Sequence, residues 1–374
     1  MRNDITHFSL IFPRRKGENY IMKKMMSILM MVLLALALAA CASSNNGSSN
    51  NTTGSASNTP AETRTPEKEA TPEQSAKPTT VEYTDENGNV ITIPVNPKNV
   101  VSLDNRTFET LEAWGIKLAA APKNVIPASI GYKNDDSILN IGSHTEPNLE
   151  IIAAVDPELV IVGQRFARYY EDIKELVPNA AVINLNIDVS AGDGTAGDSL
   201  VNGFKDITLL LGQIFDKNEE AEALIAEFDQ AIADAKAAYN GTDTVISVIV
   251  SGGNIGYSAP HNGRVWGPLY DIFGWTSPLA VDKTSTDHQG DEISVEAIAQ
   301  ANPDWLMVLD RDAATSTAAE STPAKDVIEN SPALQNTKAI KNGNIVYAPA
   351  DTYTNESIQT FIEIFQSIAE ALMK

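Results

Sequence analysis

Residues 149–165 have the sequence LEIIAAVDPELVIVGQR, and residues 295–311 repeat the pattern as VEAIAQANPDWLMVLDR. The two copies share Glu, Ile, Ala, Pro, Val and a final Arg in the same register. Each copy predicts a short amphipathic helix, a turn at the proline and a buried parallel strand. The repeat therefore predicts an α/β fold made of two related halves.

Each copy of the repeat ends in an arginine, Arg165 or Arg311. The carboxyl ends of parallel strands form the edge at which α/β folds bind ligands, so we expect both side chains at a binding site. Arg106 follows a first strand at residues 99–103. Arg264 lies in a loop before a helix that runs to Phe273, and a strand predicted at 245–250 leads towards this loop. One such arginine can equally be a surface charge or half of a structural ion pair, but the in-register pair favours binding.

The rest of the chain beyond residue 80 completes this architecture. Apolar and polar residues alternate at 81–93, which predicts a hairpin. Residues 108–114 predict a helix with Thr107 as its N-cap. Residues 216–239 predict a long amphipathic helix between the halves. We therefore expect two Rossmann-like lobes, each a parallel-sheet sandwich, joined by a single long connecting helix with the ligand cleft between them. The expected boundaries are an N-terminal lobe at 81–205, a connecting helical segment at 206–239 and a C-terminal lobe at 240–374.

The N-terminal segment predicts where the protein resides. Lysines 23 and 24 precede an apolar run, and the run ends in LAAC at Cys41, which resembles the lipidation motif of bacterial lipoproteins. We expect residues 1–41 to hold an upstream extension and a signal peptide, with Met1 and Met22 both open as starts. A buried core cysteine is the alternative for Cys41. Residues 42–80 lack large apolar side chains, so they predict a disordered tether. The expected location is the extracytoplasmic side of the cell membrane, through a lipid anchor.

Composition excludes several classes of protein. The chain has 27 basic and 49 acidic residues and a net charge of −22, so we expect no nucleic-acid partner. A single cysteine excludes an internal disulfide and a zinc cluster built on cysteines. No GxSxG, P-loop or dinucleotide motif follows a predicted strand, so we expect no enzyme.

A few further polar residues are candidates for function. His288 lies in a polar loop before the second repeat helix, where it is either a bystander or an imidazole ligand for a metal that arrives inside a chelate. Tyr353 could add a phenolate oxygen, whereas His144 and His261 are weaker candidates. Glu150 and Glu296 are equivalent in the repeat, and they serve either helix solubility or docking on a two-fold symmetric membrane partner.

The motifs together resemble those of class III (cluster A) substrate-binding lipoproteins of ABC importers. The sequences SAPHNGR at 258–264, DHQG at 287–290 and NGNIVY at 342–347 are similar to those of the catecholate siderophore-binding group, of petrobactin and enterobactin type. The loop after the last strand departs from the family. It contains TYTNE at 352–356 in place of an aromatic, glycine-rich stretch, so Tyr353 is the nearest candidate there.

The resemblance implies a function and a site. It implies capture of a ferric catecholate siderophore and its delivery to an ABC permease dimer for iron uptake, by a monomer without an intrinsic cofactor. It implies an arginine triad of Arg165, Arg264 and Arg311, with His288 and Tyr353 on the iron when the siderophore leaves sites open. It also implies one docking glutamate on each lobe. A hydroxamate siderophore, haem or a corrinoid on the same fold is the alternative ligand.

Overall fold

The structure is a computed structural model, and it describes residues 78–374 apart from 86, 190–194, 282–283 and 317–320. The predicted signal segment, Cys41 and the tether up to residue 77 lie outside the described residues. The first strand begins at Thr80, next to the expected start of the N-terminal lobe.

The N-terminal lobe alternates strands with short helices. In chain order these elements are β1 (Thr80–Thr84), β2 (Val90–Pro94), β3 (Val100–Ser102), α1 (Phe108–Ala113), β4 (Leu118–Ala121), β5 (Leu139–Asn140), α2 (Glu150–Ala154), β6 (Leu159–Val162), α3 (Tyr170–Leu176) and β7 (Ala181–Asn184). Strands β1 and β2 form the predicted hairpin, with Val81 opposite Ile93. The other five form a parallel sheet in the order β5-β4-β3-β6-β7. Buried apolar side chains cover both of its faces, which is why β6 is apolar throughout.

Two long helices follow, α4 (Ala196–Ile214) and α5 (Asn218–Ala238). The first half of α4 contributes Leu200 and Phe204 to the core of the C-terminal lobe. Its second half contributes Leu211 and Ile214 to the core of the N-terminal lobe. The expected lobe boundary at residue 206 therefore lies inside α4. This helix, rather than the predicted one at 216–239, is the element shared by both cores, because its apolar face continues from one core to the other.

The C-terminal lobe has a four-stranded sheet in the order β11-β10-β8-β9. In chain order its elements are β8 (Val245–Ser251), β9 (Asn254–Ser258), α6 (Gly267–Phe273), α7 (Val295–Ala301), β10 (Trp305–Asp310), α8 (Arg311–Thr315), α9 (Ala324–Glu329), α10 (Lys338–Asn342), β11 (Ile345–Tyr347), α11 (Thr352–Asn355) and α12 (Ile358–Leu372). Strands β8, β10 and β11 are parallel, and apolar clusters lie on both faces of the sheet. The prediction of two related α/β lobes is confirmed.

Two local expectations need correction. Strand β8 does not lead directly to the Arg264 loop, because β9 follows it and pairs with it antiparallel. Thr107 precedes α1 as expected, but its hydroxyl makes no cap hydrogen bond to the helix. It donates instead to the backbone oxygen of Asp104 at 2.8 Å, which closes the turn that follows β3.

Candidate ligand-binding site

Three arginines from both lobes surround one aromatic ring. The guanidinium carbons of Arg165, Arg264 and Arg311 lie 5.6, 4.3 and 5.2 Å from the centroid of the Tyr353 ring. Arg165 and Arg264 also donate through Nη2 to the backbone oxygen of Tyr353, at 3.0 and 3.2 Å. Each guanidinium therefore interacts with the π face of a buried ring, a favourable arrangement for cations. We call Arg106, Arg165, Arg264 and Arg311 the arginine cluster.

The sheet edges position two of these arginines. Arg165 lies in the 3-10 helix Gln164–Tyr169 that begins directly after β6, and Arg311 is the first residue of α8, directly after β10. The two strands are the equivalent strands of the sequence repeat. Asp310 caps α8 by accepting a hydrogen bond from the Ala313 backbone N–H at 2.9 Å, so the helix starts at the arginine.

Arg264 reaches the site by a tightly folded loop rather than from a parallel strand end. A Cβ on Gly263 would lie 2.5 Å from the backbone nitrogen and oxygen of Ala259, so only glycine fits there. The backbone at Val265 is left-handed, with φ of 63°. This turn lets Arg264 point into the cleft although β9 ends away from the carboxyl edge of its neighbours.

A buried carboxylate, Glu356, lies within the arginine cluster. It forms ion pairs with Arg264 and with Arg106, the latter at 3.3 Å, and accepts a hydrogen bond from Gln164 Nε2 at 2.7 Å. Burial by itself raises the pKa of Glu356. The positive charges of Arg264, Arg106 and Arg165 outweigh burial, so the pKa lies below its ordinary value. Glu356 is therefore ionised in the folded protein.

A second buried carboxyl group, Asp104, lies next to the cluster. Its Oδ1 accepts the Arg106 backbone N–H at 3.1 Å, and a Cβ at Gly163 would lie 2.5 Å from its carboxyl group. Burial raises the pKa of Asp104 to about 6, despite the opposing charges of Arg106 and Arg165. Near neutral pH this group is close to its titration range.

The residues Asp351–Ser357, here called the bridging segment, connect the C-terminal lobe to the N-terminal lobe. Asn105 Nδ2 donates to the Thr354 backbone oxygen at 2.5 Å, and Ser129 Oγ donates to Asp351 Oδ2 at 2.5 Å. Glu109 accepts hydrogen bonds from Asn355 Nδ2 at 2.9 Å and from the Ser357 hydroxyl. The segment that carries Tyr353 and Glu356 thus lies between the lobes and is hydrogen-bonded to both.

A cavity of about 360 Å³ opens beside these groups. It is lined by residues of both lobes, including Arg106, Gln164, Arg165, Arg264, Thr286 and Glu356. Its size is at the lower end of the range of about 300–1,000 Å³ for small-molecule sites. The arrangement suits an anionic ligand with aromatic or oxygen-rich groups, because guanidinium groups both stack and donate hydrogen bonds.

The other predicted residues have different surroundings. His288 is half exposed and lies 3.8 Å from Asp287, while Thr286 of the same loop lines the cavity. His261 is exposed and pairs with Asp271 at 2.7 Å. Burial, with smaller contributions from Arg165 and Arg168, lowers the pKa of His144.

Glu150 and Glu296 are both exposed in the first turns of the equivalent helices α2 and α7. The two glutamates therefore occupy matching helix positions in the two lobes, and their docking role stays a prediction.

Sequence reasoning missed Glu356 and Gln164 and placed Tyr353 in a loop rather than in helix α11. Gln164 is equivalent in the repeat to Asp310, since 310 − 164 equals the repeat offset 295 − 149. A polar residue before the arginine in both copies was the available signal. No comparable pattern marked Glu356.

The described residues contain no group of three or more His, Cys, Asp or Glu side chains suited to a metal ion. Among the helices in the described part of the chain, none has both the length and the apolar composition that crossing a membrane requires.

Two lobes with a charged cleft between them define a solute-binding protein. The sequence profile described as periplasmic binding protein matches residues 100–352, and the chain belongs to that family. It is 28% identical over 301 residues to the petrobactin-binding protein YclQ of Bacillus subtilis, covering 79% of this chain and 88% of that protein. It is 29% identical to the ferric-anguibactin-binding protein FatB of Vibrio anguillarum, covering 73% of this chain and 81% of that protein.

Solved structures agree with this assignment. The crystal structure of YclQ matches with a TM-score of 0.67 and 27% identity, over 79% of this chain and 99% of that chain. The predicted resemblance to class III substrate-binding proteins is confirmed. Because these relatives are binding proteins, the expectation that the chain is not an enzyme is confirmed as well.

Proposed function

We propose that this protein captures a ferric siderophore of the catecholate class outside the cytoplasm. The observation that carries the proposal is the placement of three guanidinium groups, from both lobes, within 5.6 Å of the centroid of one aromatic ring. A catecholate is itself an aromatic ring with anionic oxygens, so it matches both the stacking and the hydrogen-bonding capacity of arginine. Iron enters as cargo within the siderophore, and no resident cofactor is proposed.

The relatives support an iron-chelate ligand. The names of YclQ and FatB assign petrobactin to one and ferric anguibactin to the other. These ligands differ from each other. The relatives therefore support an iron chelate as the class of ligand more strongly than they support any single compound.

Tyr353 and His288 are the proposed iron ligands when a siderophore leaves coordination positions of the iron open. Tyr353 lies among three arginines of the cluster, Arg165, Arg264 and Arg311, and the loop of His288 borders the same cavity through Thr286. Phenolate and imidazole are both suitable donors to ferric iron.

Delivery to an ABC transporter is the second part of the proposed function. Glu150 and Glu296 are exposed on equivalent helices of the two lobes, and this pairing suits arginines on a two-fold symmetric permease dimer. A monomer with one glutamate on each lobe is sufficient for this contact. The protein is held at the membrane surface by a lipid on Cys41.

Titration of intrinsic fluorescence tests the ligand class. The panel contains ferric enterobactin, ferric petrobactin, a ferric bis-catecholate, ferrioxamine as a hydroxamate complex, haem and a corrinoid. Buried Trp266, two positions after Arg264, serves as the reporter. Saturable quenching by a catecholate complex supports the proposal. Binding of ferrioxamine, haem or a corrinoid in its place contradicts it.

Cell fractionation tests the anchor. In the native host, the wild-type protein should be found with the membrane and the Cys41→Ser protein should not. Equal membrane fractions for both would contradict lipidation at Cys41.

A further inference from the structure

We infer that Glu356 is a specificity-determining residue: its carboxylate occupies the position on the arginine cluster that an anionic group of the ligand must take. A ligand then needs enough negative charge to replace the carboxylate, and weakly charged chelates are rejected. This inference rests on the proposed function, because it concerns ligand selection at the same site.

The contacts of Glu356 are those expected of a bound anion. Its two carboxylate oxygens are shared among Arg264, Arg106 and Gln164, and its side chain is only 6% exposed. Tyr353, three residues earlier, places its ring against Arg165, Arg264 and Arg311. One short stretch of the chain thus supplies both an aromatic ring and an anion to the arginines.

The cluster also retains unused hydrogen-bonding capacity. Among the described residues, Arg106 Nε and Nη1 have no hydrogen-bond partner, and neither has Nε of Arg264 or Arg311. Buried donors of this kind are costly unless a partner satisfies them. These donor atoms are buried in the present structure, so a ligand reaches them only after Glu356 has left; a larger anion with several oxygens would then satisfy them, whereas the single carboxylate of Glu356 does not. Exchange of Glu356 for such a ligand is therefore favourable when the ligand carries sufficient charge.

The backbone at Glu356 is consistent with a displaceable contact. Glu356 ends helix α11 in the left-handed region with φ of 46°, which is unfavourable for a residue with a Cβ. The bonds of the bridging segment to Asn105, Ser129 and Glu109 hold it in this conformation. Moving the segment exchanges these few polar bonds and the ion pairs for contacts with the ligand, and it releases the unfavourable backbone conformation.

The test compares Glu356→Gln with the wild type and with Glu370→Gln. Glutamine keeps the shape of the side chain and removes its charge. Glu370 is exposed on helix α12, so its substitution changes the net charge of the molecule equally without touching the cluster. The probes are trianionic ferric enterobactin and cationic ferrioxamine, titrated by fluorescence quenching. We expect Glu356→Gln to bind ferric enterobactin on the order of tenfold more tightly than the other two proteins do.

The outcomes separate the two claims. If Glu356→Gln binds ferric enterobactin with wild-type or weaker affinity while the wild type binds it, the inference fails and the proposed function stands. If neither the wild type nor Glu356→Gln binds any catecholate complex, both fail. Equal affinity of the wild type for ferrioxamine and ferric enterobactin also overturns the inference, because it would show no selection by ligand charge.

A cysteine pair gives a second test if Glu356→Gln does not fold. Ser129→Cys and Asp351→Cys, in a Cys41→Ser background, replace side chains whose oxygens lie 2.5 Å apart and would link the bridging segment to the N-terminal lobe. The oxidised protein should bind ferric enterobactin at least about tenfold more weakly than the same protein after reduction. Equal affinity in the two forms would show that the ligand binds without displacing the segment.

Discussion

In the wild type, ionisation of Asp104 should lower the free energy of unfolding by about 3 kcal/mol as the pH rises. Replacing Asp104 with asparagine should remove this loss. Burial raises the pKa of this carboxyl group from its ordinary 3.8 to about 6 in the folded protein. The difference of about 2 pH units, at about 1.36 kcal/mol per unit, gives the magnitude. Below the pKa that Asp104 has in the unfolded chain, the carboxyl group is protonated in both states and does not change the free energy of unfolding. As the pH rises from about 4 to above 6, the unfolded chain loses its proton more easily, so the wild type loses stability from this group.

Urea denaturation of both proteins at several pH values checks this prediction. The free energy of unfolding of the wild type, minus that of Asp104→Asn, should fall by about 3 kcal/mol between about pH 3 and pH 7. Any cost of burying the asparagine amide shifts this difference equally at every pH, so only the pH dependence is diagnostic. Asp136→Asn, at an exposed position, should follow the wild-type curve. A difference for Asp104→Asn that stays constant over the range would refute the raised pKa.

Three further predictions concern the site, the partner and the fold. Arg264→Ala should weaken binding of ferric enterobactin at least thirtyfold, since breaking a buried charge pair costs about 2–5 kcal/mol; Arg168→Ala, outside the cluster, should leave the same titration unchanged. Charge reversal by Glu150→Arg with Glu296→Arg should reduce uptake of radiolabelled ferric siderophore by iron-starved cells without changing ligand affinity, and wild-type uptake would argue against docking at these residues. Gly263→Ala should destabilise the protein by about 1–3 kcal/mol because its Cβ has no room, and an unchanged melting temperature would contradict the steric argument.

The sequence predicted the repeated helix and strand units well, because a buried parallel strand and an amphipathic helix each leave a local pattern. Strand β9 was missed although its turn carried a signal. Gly252 and Gly253 both have positive φ, of 58° and 75°, as a tight hairpin between β8 and β9 requires. Two adjacent glycines directly after the apolar run at 245–250 were therefore the available signal for the antiparallel strand.

In the candidate site, only the residues that directly follow a strand could be predicted from the sequence. Arg165 and Arg311 follow equivalent strands, so their convergence follows from the repeat and the sheet topology. The contacts of Glu356 could not be predicted in this way. Its partner Gln164 lies 192 positions away in the sequence, and the packing of the two lobes, rather than any local pattern, brings them together.

Helix α4 makes the two lobes thermodynamically interdependent. Ile207, near its middle, packs against the apolar clusters of both lobes, with Phe204 on one side and Leu211 on the other. Melting of either lobe would strip apolar partners from a helix that the remaining lobe still needs. The two lobes should therefore unfold in one calorimetric transition, with equal van't Hoff and calorimetric enthalpies, instead of two separate ones.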